Sequence, residues 1–137
     1  MSGATYICFD YGEKRIGVAV GQTVTGTATP LETIRVINNK PDWEKITAII
    51  RQWQPQGLIV GLPLGMDDSR QPVTEAADKF ARQLNGRYQL PVYRADERLT
   101  TFEARDRTRR NTDLDPVAAQ VILESWLREQ DDASEPP

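Results

Sequence analysis

Residues 5–21 read TYICFDYGEKRIGVAVG. Two apolar runs, Tyr6 to Asp10 and Ile16 to Gly21, flank a short turn that carries Gly12, which is the pattern of a β-hairpin. The first run ends on Asp10. A carboxylate at a strand end, beside a glycine turn, is placed to hold a divalent cation or to face a phosphate. Its bland alternative is a polar residue that ends a strand and steadies the turn. Acids that could complete a site with Asp10 lie far down the chain, at Asp96, Glu97 and Asp115.

Beyond the hairpin, the stretch from Gly26 to Val36 contains LETIRVI, which alternates roughly as a strand should. The period then changes. Trp43, Ile46, Ile49, Ile50 and Trp53 recur at helical spacing between Pro41 and Pro55. GLIVGLP is a short apolar run without alternation, as expected of a strand covered on both faces. Val73, Ala76, Ala77, Phe80, Ala81 and Leu84 form the apolar stripe of a second helix, with Pro72 near its start and Asn85-Gly86 near its end. LPVYRAD reads as a further strand. Thr100 and Glu103 have the spacing of a capping box. Asp115-Pro116 reads as an N-cap followed by proline at the first helical position, opening a last helix that runs to about Gln130. A strand meander followed by alternating helices and strands implies an α/β domain with a mixed sheet and helices packed against it.

A chain of 137 residues suggests one domain, set here at residues 1–130, with 131–137 as a disordered acidic tail. No apolar run approaches the ~20 residues needed to span a bilayer. The start, MSGATY, lacks the basic stretch and apolar core of a signal peptide, and the single cysteine, Cys8, can form no internal disulfide. Together these point to a cytoplasmic protein without a membrane partner. The sequence contains no histidine. That excludes serine–histidine and cysteine–histidine catalysis and any imidazole-ligated metal. A bound metal must be held by oxygen, which favours Mg²⁺, Mn²⁺ or Ca²⁺. A net charge of −3 argues against indiscriminate nucleic-acid binding. Local cationic clusters exist at Lys14-Arg15 and at Arg105, Arg107, Arg109 and Arg110.

Gly61, Gly65, Asp67 and Asp68 follow a buried strand, where ligands of open α/β sheets tend to collect. A connecting loop rich in turn formers explains them somewhat better when nothing else is considered. Asp96 and Glu97 are neighbours at a strand end and so point to opposite faces; periodicity does not decide between them. Thr100 and Thr101 fit helix caps, and an N-cap role alone would explain Asp115. Cys8 reads as a small buried residue, and Trp43, Trp53 and Trp126 as packing residues.

Four separated motifs, DYGEKRIGVAVG, IVGLPLGMDDS, DERLTTFEAR and DPVAAQVILESWL, in that order, resemble the YqgF family, also called the RuvX family. The resemblance spans nearly the whole chain. It implies an RNase H-like fold: a mixed five-stranded sheet, its first three strands antiparallel, flanked by helices. It also implies a metal-dependent endonuclease that matures the 5′ end of pre-16S ribosomal RNA; some members are described as Holliday-junction resolvases. Asp10, Glu97 and Asp115 match the family's acidic triad and would hold one or two Mg²⁺ or Mn²⁺ ions. Lys14, Arg15, Arg98 and Arg105 would meet phosphates, with Gly12, Gly61 and Thr100 beside them in the substrate-binding set. Structured RNA is the partner implied, with branched DNA second; a homodimer is compatible with it.

Two features depart from the family pattern. The glycine loop has Gly65 where an asparagine is usual and Asp68 where a glycine is usual. The stretch from Glu103 to Asp115 is shorter than the glycine-rich, basic segment the family carries there. Two rivals of other classes are an ATP-binding lobe of the actin and sugar-kinase type, whose first hairpin also opens with aspartate and glycine, and a non-catalytic ribosome or transcription factor. Tight ATP binding would favour the first. A cellular role that survives Asp10→Asn would favour the second.

Overall fold

The computed structural model describes residues 3–62, 72–96 and 115–134. The hairpin forms as expected, from β1 (Thr5–Tyr11) and β2 (Arg15–Gln22), and β3 (Thr27–Ile37) extends it. Its turn is tight: a Cβ on Gly12 would stand 2.7 Å from the Arg15 carbonyl oxygen, so only glycine fits. The sheet order is β4-β3-β2-β1-β5-β6, where β4 is Lys40–Pro41, β5 is Gly57–Leu62 and β6 is Val92–Asp96. β1, β2 and β3 pair antiparallel, while β5 pairs parallel with both β1 and β6. The described sheet therefore has six strands, not five. β4 is a two-residue return of β3 across Asn38 and Asn39, both at positive φ, and is too short to leave a hydrophobic pattern.

Helix α1 (Trp43–Trp53) is capped by Asp42, whose carboxylate accepts from the Lys45 amide. It ends at Gln54 in the left-handed region. Helix α2 (Pro72–Tyr88) overruns Asn85-Gly86. It stops three residues after Asn85, where Gln89 takes positive φ and its amide bonds the Asn85 carbonyl. Asn85 instead donates its side-chain amide to the Leu90 carbonyl. Helix α3 (Asp115–Ser134) runs past Gln130 into the stretch expected to be a disordered tail. No glycine or proline intervenes before Pro136 to stop it. Among the described residues no helix is long and apolar enough to cross a membrane.

The two faces of the sheet carry different cores. Alternation sends Ile7, Phe9, Tyr11, Ile16 and Val18 to one face, where they pack with Ile46, Ile49, Phe80 and Leu84 of α1 and α2. The other face is built of small residues, Cys8, Ala19 and Ala28, under Ala119, Ile122, Leu123 and Leu127 of α3. β5 is buried along its whole length, as its unbroken apolar run foretold. The tryptophans pack: Trp43 against Phe80 and Tyr88, and Trp126 against Tyr6 and Tyr93.

Candidate active site

Asp10 closes the α3 face of β1. Only 7% of it is exposed, and it is the one buried carboxylate among the described side chains. Its neighbours across the sheet are small. Gly17 pairs with it on β2 and Gly61 on β5, and Ala95 of β6 pairs with Gly61. The row Gly17–Asp10–Gly61–Ala95 thus has one carboxylate rising from a floor that offers almost no other side chain. A charge buried in this way is costly unless hydrogen bonds or a cation compensate it. With no histidine in the chain and Cys8 fully buried beneath α3, the donors suited to a cation here are oxygens, which fit a hard ion such as Mg²⁺ or Mn²⁺.

The register also resolves a choice that periodicity left open. Position 96 pairs with Leu62, which packs in the core on the α1–α2 face. Ala95, one residue earlier, packs in the α3-side core. Position 96 is therefore on the face opposite Asp10. Glu97 itself lies outside the described residues, as do Arg98, Thr100, Arg105, Gly65 and Asp68.

Helix α3 packs over β1, β2 and β3. Trp126 stacks on Tyr6, with ring centroids 4.9 Å apart, and Gln120 and Glu124 bond the backbone of Ala28. From Tyr6 to Asp10 is four strand residues, ~13 Å. From Trp126 back to Pro116 is ten helical residues, ~15 Å. Pro116, Ala118 and Ala119 are buried, so this end of the helix lies over the sheet. These two lengths are alike, which is the condition for the start of α3, at Asp115, to come level with Asp10. The structure brings Asp10, Gly17 and Gly61 together at one end of the α3 face of the sheet.

Gly12, Lys14 and Arg15 sit at the same end, in and beside the β1–β2 turn, with Lys14 and Arg15 exposed. The Lys14 carbonyl accepts from the Val36 amide, which ties this turn to β3. One cation escaped the linear reading. Arg35 pairs directly with Arg15 across β2 and β3. The alternation of LETIRVI carried a partial signal, but only the register sets the two arginines side by side.

The RuvX family model, described as Holliday junction resolvase, matches residues 4–129. The chain belongs to the RuvX family. Relatives that carry the name "Putative pre-16S rRNA nuclease" include one from Pseudomonas fluorescens SBW25. It is 48% identical over 130 residues, which is 88% of this chain and 90% of that protein. Another, from Nitrosococcus oceani, is 52% identical over 129 residues, 89% and 85% of the two chains. Among solved structures, Thermus thermophilus RuvC in complex with a Holliday junction substrate superposes with a TM-score of 0.59 at 14% identity, covering 98% of this chain and 99% of that one. The fowlpox virus Holliday junction resolvase gives 0.53 at 14%, covering 91% and 99%. At such identities these two likenesses concern the fold, which is RNase H-like. Family membership makes the chain a nuclease, and it counts against the reading as an ATP-binding lobe.

Proposed function

We propose that this RuvX protein is a metal-dependent endonuclease that trims the 5′ end of pre-16S ribosomal RNA, with Asp10, Glu97 and Asp115 as its acidic triad. The single observation that carries the reading is Asp10, a buried carboxylate on a floor of glycines at the end of β1. That floor leaves room for a phosphodiester and a cation beside the acid. The cation, when bound, supplies Lewis-acid charge that activates water and steadies the leaving oxygen. Asp10 anchors it from rigid strand, and Lys14 and Arg15 hold the substrate's phosphates at the turn. Relatives about half identical over most of their length bear the pre-16S rRNA nuclease name, which favours RNA as the substrate.

The test is cleavage of 5′-extended pre-16S RNA by purified protein with Mn²⁺. Asp10→Asn is expected to abolish cutting while RNA binding persists. Equal cutting by both proteins would trace the activity to a contaminant. A second reading, four-way DNA junction cleavage, is favoured by the family's description. A mobile junction run beside the RNA separates the two.

A further inference from the structure

The β2–β3 register carries an inference that rests on this nuclease reading and extends it. Arg15 and Arg35 are a directly opposed pair of like charges. The register thereby sets two guanidinium side chains next to each other at the end of the sheet that carries Asp10. Ile16 and Ile34 beside them point into the α1–α2 core, so alternation directs Arg15 and Arg35 to the Asp10 face. Arg35 continues into a groove of about 310 Å³ at the outer edge of the sheet, lined also by Thr33, Ile37, Lys40, Asp42 and Lys45. Of the groove's three cations Lys45 is paired with Glu32, and its one carboxylate, Asp42, caps α1, which leaves Arg35 and Lys40 facing the groove. Among the described residues no acidic side chain pairs with Arg35.

We propose that Arg35, with Lys40 behind it, is a second phosphate-binding station, which holds the substrate strand away from the cut and runs it over β2 and β3 to the β4 edge. Thr33 pairs with Gly17, which pairs with Asp10. Arg35 is therefore two strands across and two residues along from Asp10. With strands ~4.8 Å apart and ~3.4 Å per residue, the backbone separation is ~12 Å. That distance puts Arg35 on a phosphate a few nucleotides away from the scissile one, not on the scissile phosphate itself. Thr33, at the near end of the groove, is a hydrogen-bond donor for the phosphates between.

The experiment measures the affinity of full-length protein for 5′-extended pre-16S RNA against salt concentration, with Mn²⁺-dependent cleavage followed in parallel. Arg35→Gln is expected to weaken binding roughly fivefold at physiological salt. It should also lower the slope of log K against log[salt] by about 0.7–0.9. Arg35→Lys should recover most of the slope, and Arg51→Gln, on exposed α1, should change nothing. A scan of single neutral methylphosphonate linkages should find one position, displaced from the cut, that weakens wild type but not Arg35→Gln. An unaltered slope in Arg35→Gln, with binding and cleavage by wild type intact, overturns this station and leaves the nuclease reading standing. Failure of wild type to bind or cut the RNA overturns both.

Discussion

Replacing Gly21 by alanine should separate α3 from the sheet. A Cβ at Gly21 would stand 2.9 Å from Leu123 Cδ2, 3.1 Å from Leu127 Cδ1 and 3.0 Å from the Thr27 carbonyl oxygen. Carbon atoms settle ~3.5–4.0 Å apart, so both leucine methyls must retreat by roughly half an ångström. Leu123 is fully buried and has little room to turn. The Thr27 oxygen belongs to β3, which is laddered to β2 at Gln22. Overpacking of this kind costs about 1–3 kcal/mol, while the stiffer unfolded chain returns ~0.4–1 kcal/mol. The net loss is about 1–2 kcal/mol, or roughly 4–8 °C in Tm for a domain of this size. Gly86 supplies the control. A Cβ there meets nothing within 4 Å, and the residue is exposed in α2 without positive φ. Gly86→Ala should gain ~0.5–1 kcal/mol. Urea unfolding of both variants checks the pair through the midpoint at constant slope. A Gly21→Ala protein as stable as wild type would refute the claim that α3 sits on the sheet at contact distance there.

Asp10→Asn should lose the stabilisation that Mn²⁺ gives the wild-type protein, which at a hundredfold excess over Kd is ~2.7 kcal/mol; thermal melts with and without metal read the difference, and equal shifts in both proteins would remove Asp10 from the cation. Tyr11 has its hydroxyl pushed above the ordinary 10.0 by burial first and by the Glu13 carboxylate second. The unfolded chain releases that proton near pH 10 while the folded one keeps it, so this contribution is intact below pH 10 and is lost as pH rises through the folded value. Tyr11→Phe should flatten the fall of the urea midpoint above pH 10, and parallel profiles would contradict it. Asp42→Ala removes the cap that accepts from the Lys45 amide and should cost ~1 kcal/mol, read by the same unfolding assay; no change would show that the cap contributes nothing.

The parts legible in the sequence are those where one local rule dominates. The Gly12 turn, the helical stripe of α1 and the unbroken run of β5 each state their structure in fewer than twenty residues. Where two rules compete, the linear reading goes astray. Asn85-Gly86 does lie near the end of α2, as expected, but the helix runs two residues further, to Tyr88, because Leu84 and Tyr88 on either side pack into the α1–α2 core. The acidic end of the chain looks like a tail, but Asp and Glu do not break a helix, and α3 persists to Ser134. Site residues follow the same division. Asp10 is visible because it terminates a strand beside a turn. Position 96 can be set on the opposite face only through its pairing with Leu62, and Arg35 joins Arg15 only through the β2–β3 register. Register is here a relation between positions 20 and 34 residues apart, and no single window contains it.

The contrast between the two cores explains how a sheet this small can carry a site at all. Ile, Phe and Tyr side chains hold α1 and α2 away from one face, and those helices serve as crossovers and support. On the other face Cys8, Ala19, Gly21 and Ala28 let α3 lie close, near enough that one added methyl at Gly21 would collide with two leucines. Close approach lets the Gln120 and Glu124 side chains reach the Ala28 backbone from the helix, which fixes its position along the strands. Fixing the helix along the strands fixes the height of its start, and the proposed triad requires that height to be the height of Asp10. The small residues therefore set the distance between two elements that the proposed triad needs together. A carboxylate on β1 and another at the start of α3 can share a cation only if this interface keeps its thickness, which is why Gly21, four residues along β2 from the row that contains Asp10, governs the site without touching it.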